Sequence, residues 1–231
     1  STRTAWQHLE ERTHVVNFQS FNSYMAGGLK CTTFSFGLNL SVLYRAVPFR
    51  FFNDPEEATD LYHKPHECYG QFRRHLERKW EQAELDRKDI WFVRADGSNV
   101  NEVFDHLVTS VSDEILPWFD YYSDLNNALK TCLSDEGPYR RDLMATMGSP
   151  ERNRLTGYLA IALGQTEFAA PYLERFEVYY QKALAEHRAY EKRYPKRTKK
   201  SQGSRGRRAA SGRESVHKEA YGVGDVLCEL L

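Results

Sequence analysis

The densest group of potential ligands in the chain is His63-Lys-Pro-His66-Glu-Cys68. Two imidazoles and a thiolate suit Zn²⁺, and a loop carrying them needs one further donor, from His75, His8 or His14, to close a tetrahedral site. The spacing matches none of the established zinc patterns, and a polar loop containing Pro is more often a solvated turn. Cys68 also reads as a reactive thiol whose pKa is lowered by Arg73, Arg74 and the nearby imidazoles. A second group is made of amides. Asn17, Gln19 and Asn39 can hydrogen-bond a ligand on an outer sheet face, with Arg45 and Arg73 as anion contacts, although outward polar residues on an antiparallel sheet need no ligand. A third group is cationic: Lys196, Arg197, Lys199, Lys200, Arg205, Arg207, Arg208 and Arg213 can neutralise phosphates in a salt-sensitive, sequence-independent way, serve as a solvated linker, or lie along an acidic surface of this chain or of a partner. No Gly-rich phosphate loop, Ser elbow or HExxH is present, and no acidic pair has a motif around it. No catalytic, metal or cofactor residue is therefore assigned.

The elements that must position these groups begin with strands. Phe34, Phe36, Leu38, Leu40, Val42 and Tyr44 alternate with Ser35, Gly37, Asn39 and Ser41, which predicts a half-buried strand over 33–45. One apolar row faces a core and one small polar row faces outward, where Gly37 and Ser41 leave room for close approach. Thr13 to Phe21 is rich in β-branched and aromatic residues, and Asn22-Ser23 with Gly27-Gly28 supply turn chemistry, so the two segments read as a hairpin. Trp6–Glu10 reads as a preceding strand and Asp89–Arg94 as a later one, closed by Asp96-Gly97. Asp54–Glu57 opens a short helix or irregular excursion, and Phe72, Leu76 and Trp80 give Glu67–Glu84 a fourfold, helical spacing.

After residue 97 the period becomes helical. Ser98 caps a segment whose Val100, Val103, Phe104, Leu107, Val108, Val111 and Ile115 form one stripe ending near Pro117. Ser123 caps a second helix through Leu133, which Gly137-Pro138 terminates. A third runs from Pro150 to Leu163 with Gly164 as its stop, and Thr166 caps a fourth reaching Tyr190. The last two form an αα-hairpin in which Tyr158, Leu159, Ala162 and Leu163 face Phe168, Ala169, Tyr172, Leu173, Phe176, Tyr179, Tyr180 and Leu184. One such pair falls short of the roughly three units a solenoid needs, so it is expected to pack on the sheet.

Across 231 residues, 41% hydrophobic composition with 13 Phe and 14 Tyr is ample for a core. No window reaches the roughly 18 apolar residues that span a bilayer, and no N-terminal signal is visible, so the chain reads as soluble and cytoplasmic, without a membrane partner. It begins without Met, which leaves room for a preceding element. The four cysteines contain no C-x-x-C pair, which gives neither a disulfide framework nor a zinc ribbon. The net charge of zero is an average of unlike parts. Residues 192–213 hold ten Lys or Arg and no Asp or Glu, leaving 22 basic against 32 acidic side chains elsewhere. The expected organisation is a sheet-and-helix domain at 1–120, a helical extension packed on it at 121–191, a basic low-complexity linker at 192–215 and a short apolar segment at 216–231. The linker's composition predicts disorder.

Val15-Val-Asn-Phe-Gln19 followed by Cys31-Thr-Thr-Phe-Ser-Phe-Gly-Leu-Asn-Leu40 resembles the opening hairpin of a bacterial family of uncharacterised domains, the domain of unknown function numbered four-three-zero-four. The likeness continues through Glu67-Cys68 to Arg73-Arg74, Trp91 and the helix after Ser98, and covers roughly residues 5–133. Ser41 and Tyr69 depart from the pattern, where Gly and His are typical. The resemblance implies an α+β fold and no assigned chemistry. By association with toxin or defence genes it implies an immunity or accessory role. The reading is therefore an α+β protein, an antiparallel sheet with packed helices followed by a helical half and a basic tail, acting as a non-enzymatic protein-binding module. The alternatives are nucleic-acid association through residues 192–213, or a metal- or thiol-dependent enzyme using His63, His66 and Cys68.

Overall fold

The structure is a computed structural model describing residues 3–48, 65–135, 140–143 and 145–193. The Asp54–Glu57 excursion, His63, the Gly137-Pro138 break, the cationic residues from Lys196 to Arg213 and the terminal apolar segment lie outside the described residues. The fold is α+β. Strands β1 (Arg3–His8), β2 (Arg12–Ser20), β3 (Phe36–Tyr44) and β4 (Phe72–Leu76) form one antiparallel sheet in that order. Alternation aims Val16, Leu38, Leu40, Val42, Phe72 and Leu76 at one face, where they join a single hydrophobic cluster with Trp118, Phe119, Tyr122, Leu129 and Leu159 from the helices.

The central strand departs from the half-buried expectation. Its small polar row is as buried as its apolar row: Ser35 and Ser41 are 0% exposed and Asn39 4%. The chain folds back over that row at Gly70, where a Cβ would lie 2.3 Å from the Ser41 Cβ, so Ser41 does accept close approach, from this chain itself. Phe34 precedes the strand and is 63% exposed instead of joining the core. Asn22-Ser23 starts a helix where a hairpin turn was expected. The Asn22 side chain accepts the Met25 N–H at 2.9 Å, capping α1 (Ser23–Leu29), and Lys30 closes it at φ 56.

Two further assignments change. The helix expected over Glu67–Glu84 is a 3-10 turn (Glu67–Tyr69) followed by β4. A spacing of four is common to periods 2 and 3.6, and Phe72 and Leu76 use the former. The strand expected at Asp89–Arg94 makes one bridge, Phe36 to Trp91. Side chains take its remaining backbone groups: Gln82 bonds both the N–H and the carbonyl of Phe92, Ser35 accepts from the Val93 N–H, and Arg78 donates to the Ile90 carbonyl. A segment satisfied in this way has no need of a ladder.

Helix α2 (Val100–Ser110), a π-turn (Val111–Ile115) and α3 (Leu116–Ser123) run on as one rod, past the stop expected at Pro117. Within the wide turn the Leu116 N–H reaches Val111, five residues back. Pro117 then opens α3, where its missing N–H costs little. Asp124, in place of the expected Ser123, caps α4 (Leu125–Leu133) by accepting the Asn126 N–H at 2.8 Å. Arg152, 5% exposed, donates to the carbonyls of Thr131, Cys132 and Ser134 and so closes the C-terminus of α4. Helices α5 (Pro150–Ala162) and α6 (Thr166–Arg193) form the expected hairpin, with Gly164 at φ +74. Gly157 sets their approach, since a Cβ there would lie 2.4 Å from Leu173. Phe168 and Tyr179, expected in this interface, are 40% and 52% exposed. No helix among the described residues is long and apolar enough to cross a membrane.

His14 gives the sheet a pH dependence. Its ring stacks on Phe119 at 4.3 Å and its Nε2 accepts from Arg12 Nε at 3.1 Å. Burial first, and the Arg12 charge second, lower its pKa to about 4. The unfolded chain binds this proton below about pH 6.5 and the folded chain only near 4, so stability is lost as pH falls through that window. We expect His14 to account for about 3 kcal/mol of acid destabilisation between pH 6.5 and 4. Urea unfolding of wild type and His14→Phe across this range checks it, since Phe keeps the stack and removes the slope.

Candidate functional site

The residues proposed for a sheet face separate into two places. Asn17 and Asn39 are cross-strand partners in a row that continues to Thr4 on β1 and His75 on β4. The Asn17 amide donates to Thr4 Oγ1 at 2.8 Å. The Asn39 amide donates to Asn17 Oδ1 and Gln19 Oε1, both at 3.3 Å, and its carbonyl is bonded to His75 Nδ1. Asn17 is 1% exposed. The structure thus brings together Asn17, Gln19 and Asn39, but their hydrogen bonds are spent on one another, tying four strands at one level. Arg45 lies beyond the end of β3 and is exposed. Arg73 pairs with Ser41 on the edge strand β4, two residues from His75 and so on the same face as the amide row, but it also reaches the sheet's edge.

Arg73 belongs to the wall of a cleft of about 610 Å³ between the strand edge and the last two helices. One wall is Cys68 to Arg73, the 3-10 turn and the start of β4. The other comes from α5 and α6, with Leu155, Phe176 and Tyr179, and Thr146 and Ser149 lie at the approach to α5. Arg154, also in the wall, is 6% exposed and already engaged: its guanidinium donates to both oxygens of Glu151 and to the Pro48 carbonyl. Arg73 has no ion pair among the described residues, and it also lines a neighbouring cavity of about 370 Å³ with His75 and Asp142. Gln71, 6% exposed, accepts the Tyr44 N–H on its Oε1 at 2.8 Å, and its Nε2 has no partner among the described residues.

Among the described residues the histidines and Cys68 do not assemble as a metal centre, and His63 lies outside them. His66 Nδ1 lies 3.1 Å from Cys68 Sγ, 2.7 Å from Glu67 Oε2 and 3.3 Å from the Cys68 N–H. His8 is bonded to Thr13, His14 faces the helices and His75 holds Asn39. Among the described residues no group of three His, Cys, Asp or Glu is set to hold a metal ion. Burial and the Glu67 charge raise the Cys68 pKa against the pull of Arg73, the reverse of the expected activation, and Arg74 turns to the other face to bind Asp142. The cysteines at 31, 68 and 132 are free thiols.

Sequence reasoning selected Arg73, and Cys68 for a different chemistry, and missed the rest of the cleft. Phe176 and Tyr179 come from α6 and Thr146 and Ser149 from the approach to α5, all far along the chain, and only the tertiary fold brings them to one cleft with Gln71. The one available signal was the aromatic excess on α6, whose Tyr179 exceeds what the hairpin buries.

No curated protein and no solved structure shows a significant match to the chain. A family model does, the one described as Domain of unknown function (DUF4304), over residues 6–121. That span contains the sheet from Trp6 onward, the strand wall of the cleft and the rod of α2 and α3 nearly to its end, while α5 and α6 lie beyond it. The chain belongs to this family of uncharacterised domains.

Proposed function

We propose that the protein is a non-enzymatic protein-binding module that seats a segment of its partner in the cleft between Cys68–Arg73 and helices α5 and α6. The observation that carries this reading is the lining: an arginine without an ion pair among the described residues stands across an open groove from an aromatic wall, with Tyr179 52% exposed. Exposed aromatics beside Arg are the side chains that dominate protein recognition, because they bury large area at small entropic cost. An immunity or accessory role in a bacterial defence system, in the cytoplasm, is the finer form of the same proposal.

Thr146 is exposed on the cleft wall, so Thr146→Trp fills the groove without touching the core. Affinity purification of the full chain from its native cell is expected to retain a stoichiometric protein at moderate salt. The Thr146→Trp variant is expected to lose it by about tenfold or more, equivalent to roughly 1.4 kcal/mol. Equal capture by both proteins would sink the reading. Co-eluting nucleic acid that washes off with salt and disappears on deleting residues 192–213 would move function to the cationic segment instead.

A further inference from the structure

We infer that the cleft recognises a carboxylate, carried beside an apolar side chain on a peptide segment of the partner. This rests on the cleft being the partner's seat and names the chemistry it reads. Gln71 supplies the first observation. Because its Oε1 is committed to the Tyr44 N–H, its amide orientation is fixed and the orphan group is the NH₂ donor. A buried donor without an acceptor is rare and calls for a ligand or water. Arg73 lies two residues on, so strand alternation places it on the same face as Gln71. A guanidinium and an amide NH₂ side by side present a fork and one further donor. That arrangement matches the two oxygens of one carboxylate.

The remaining polar groups sharpen the choice. The Glu151 carboxylate is consumed by Arg154, and Ser149 Oγ accepts the Arg152 N–H. The charged and amide groups left for a ligand are thus donors, beside the Thr146 and Tyr179 hydroxyls that can also donate, and the cleft suits an acceptor. A nucleic-acid backbone or a phosphorylated residue draws on clustered cations, whereas here one cation of the two in the wall is already neutralised. Tyr179, exposed above the buried Phe176 and Leu155, offers an apolar surface to the group beside the acid. The volume of about 610 Å³ far exceeds one carboxylate and suits a few residues of peptide.

The test uses the full chain and fluorescently labelled hexapeptides holding one Glu beside a Phe, against the same peptides with Gln in place of Glu. Fluorescence anisotropy is expected to show the acidic peptides binding at least tenfold more tightly. Arg73→Gln, at a half-buried position, and Gln71→Glu, whose carboxylate would occupy Arg73 itself, are each expected to cut that affinity tenfold or more and erase the preference. Both should melt near the wild-type temperature. Equal affinity for acidic and amide peptides would overturn the inference, as would indifference to Arg73→Gln. Free benzoate binding as tightly as the peptide would also overturn it, by making this a small-acid site. A partner lost in Thr146→Trp and kept in Arg73→Gln would overturn carboxylate recognition alone, whereas a partner kept in both would remove the cleft reading as well.

Discussion

Replacing Asp142 with alanine is expected to lower the unfolding free energy by about 3–5 kcal/mol, the scale for breaking a buried charge pair by removing one partner. Asp142 is 3% exposed, and its carboxylate accepts both arms of Arg74 at 2.9 Å, Trp118 Nε1 at 2.7 Å and the Tyr122 hydroxyl at 3.3 Å. One side chain thereby ties β4 to α3 and anchors the short 140–143 segment. Alanine takes the acceptor from the Trp118 donor and the carboxylate from a largely covered guanidinium. Burial nevertheless outweighs these partners and raises the Asp142 pKa. The raised value means that this group favours folding most below pH 3.8, and that its contribution declines as pH rises through the folded pKa. Ionisation here is thus a net cost that the hydrogen bonds offset only in part. It follows that Arg74→Met with Asp142→Asn should be less destabilised than the two single changes summed, by about 1 kcal/mol or more. Urea denaturation of the four proteins at pH 7 measures the coupling, and strict additivity would show that the pair does not act as a unit.

The second large effect belongs to Arg78. At 1% exposure it is a buried cation without an ion pair among the described residues, solvated instead by the carbonyls of Trp80, Leu85, Arg87 and Ile90. Those four carbonyls belong to the irregular stretch between β4 and α2, whose path is drawn around the guanidinium. Arg78→Met is expected to cost about 3 kcal/mol or more, since up to four buried acceptors lose their donor at roughly 1–3 kcal/mol for each that stays dry. Arg78→Lys is expected to rescue little, because an ammonium lacks the planar fork that reaches acceptors on several sides. Limited proteolysis distinguishes this role from a general loss of stability. Cleavage should appear first within residues 79–89 in the Arg78 variants and not in Asp142→Ala.

These two residues also mark where the sequence stopped being legible. The helical half could be read because its signals are local. Pro150 opens α5 and Gly164 closes the hairpin at a positive φ, as the sequence led one to expect, while Thr166, expected as the cap of α6, is its first residue. The alternation of β2 and β3 was likewise readable, and with it the antiparallel pairing. β4 was hidden because Arg74 sits between Phe72 and Leu76 on the inward face. A charge at an inward position breaks the apolar alternation, and only Asp142, sixty-eight residues later, explains why it is tolerated there. The stretch at 89–94 misled in the opposite sense. Its β-rich composition is real, but Arg78, Gln82, Ser35 and Asn99 satisfy its backbone, and hydrogen bonds made by distant side chains leave no local pattern.

The sequence by itself determined the α+β class, the order of the main elements, the αα-hairpin and the family, because period, capping and turn chemistry act over a few residues and are written locally. Only the tertiary structure decided which polar residues are spent and which remain to bind. Asn17 and Asn39 look like ligand contacts until cross-strand register pairs them with each other, and Arg73 and Gln71 gain their proposed role because α5 and α6 form a wall opposite them. Whether a donor is satisfied depends on what lies within about 3 Å of it in space, and separation along the chain does not record that distance.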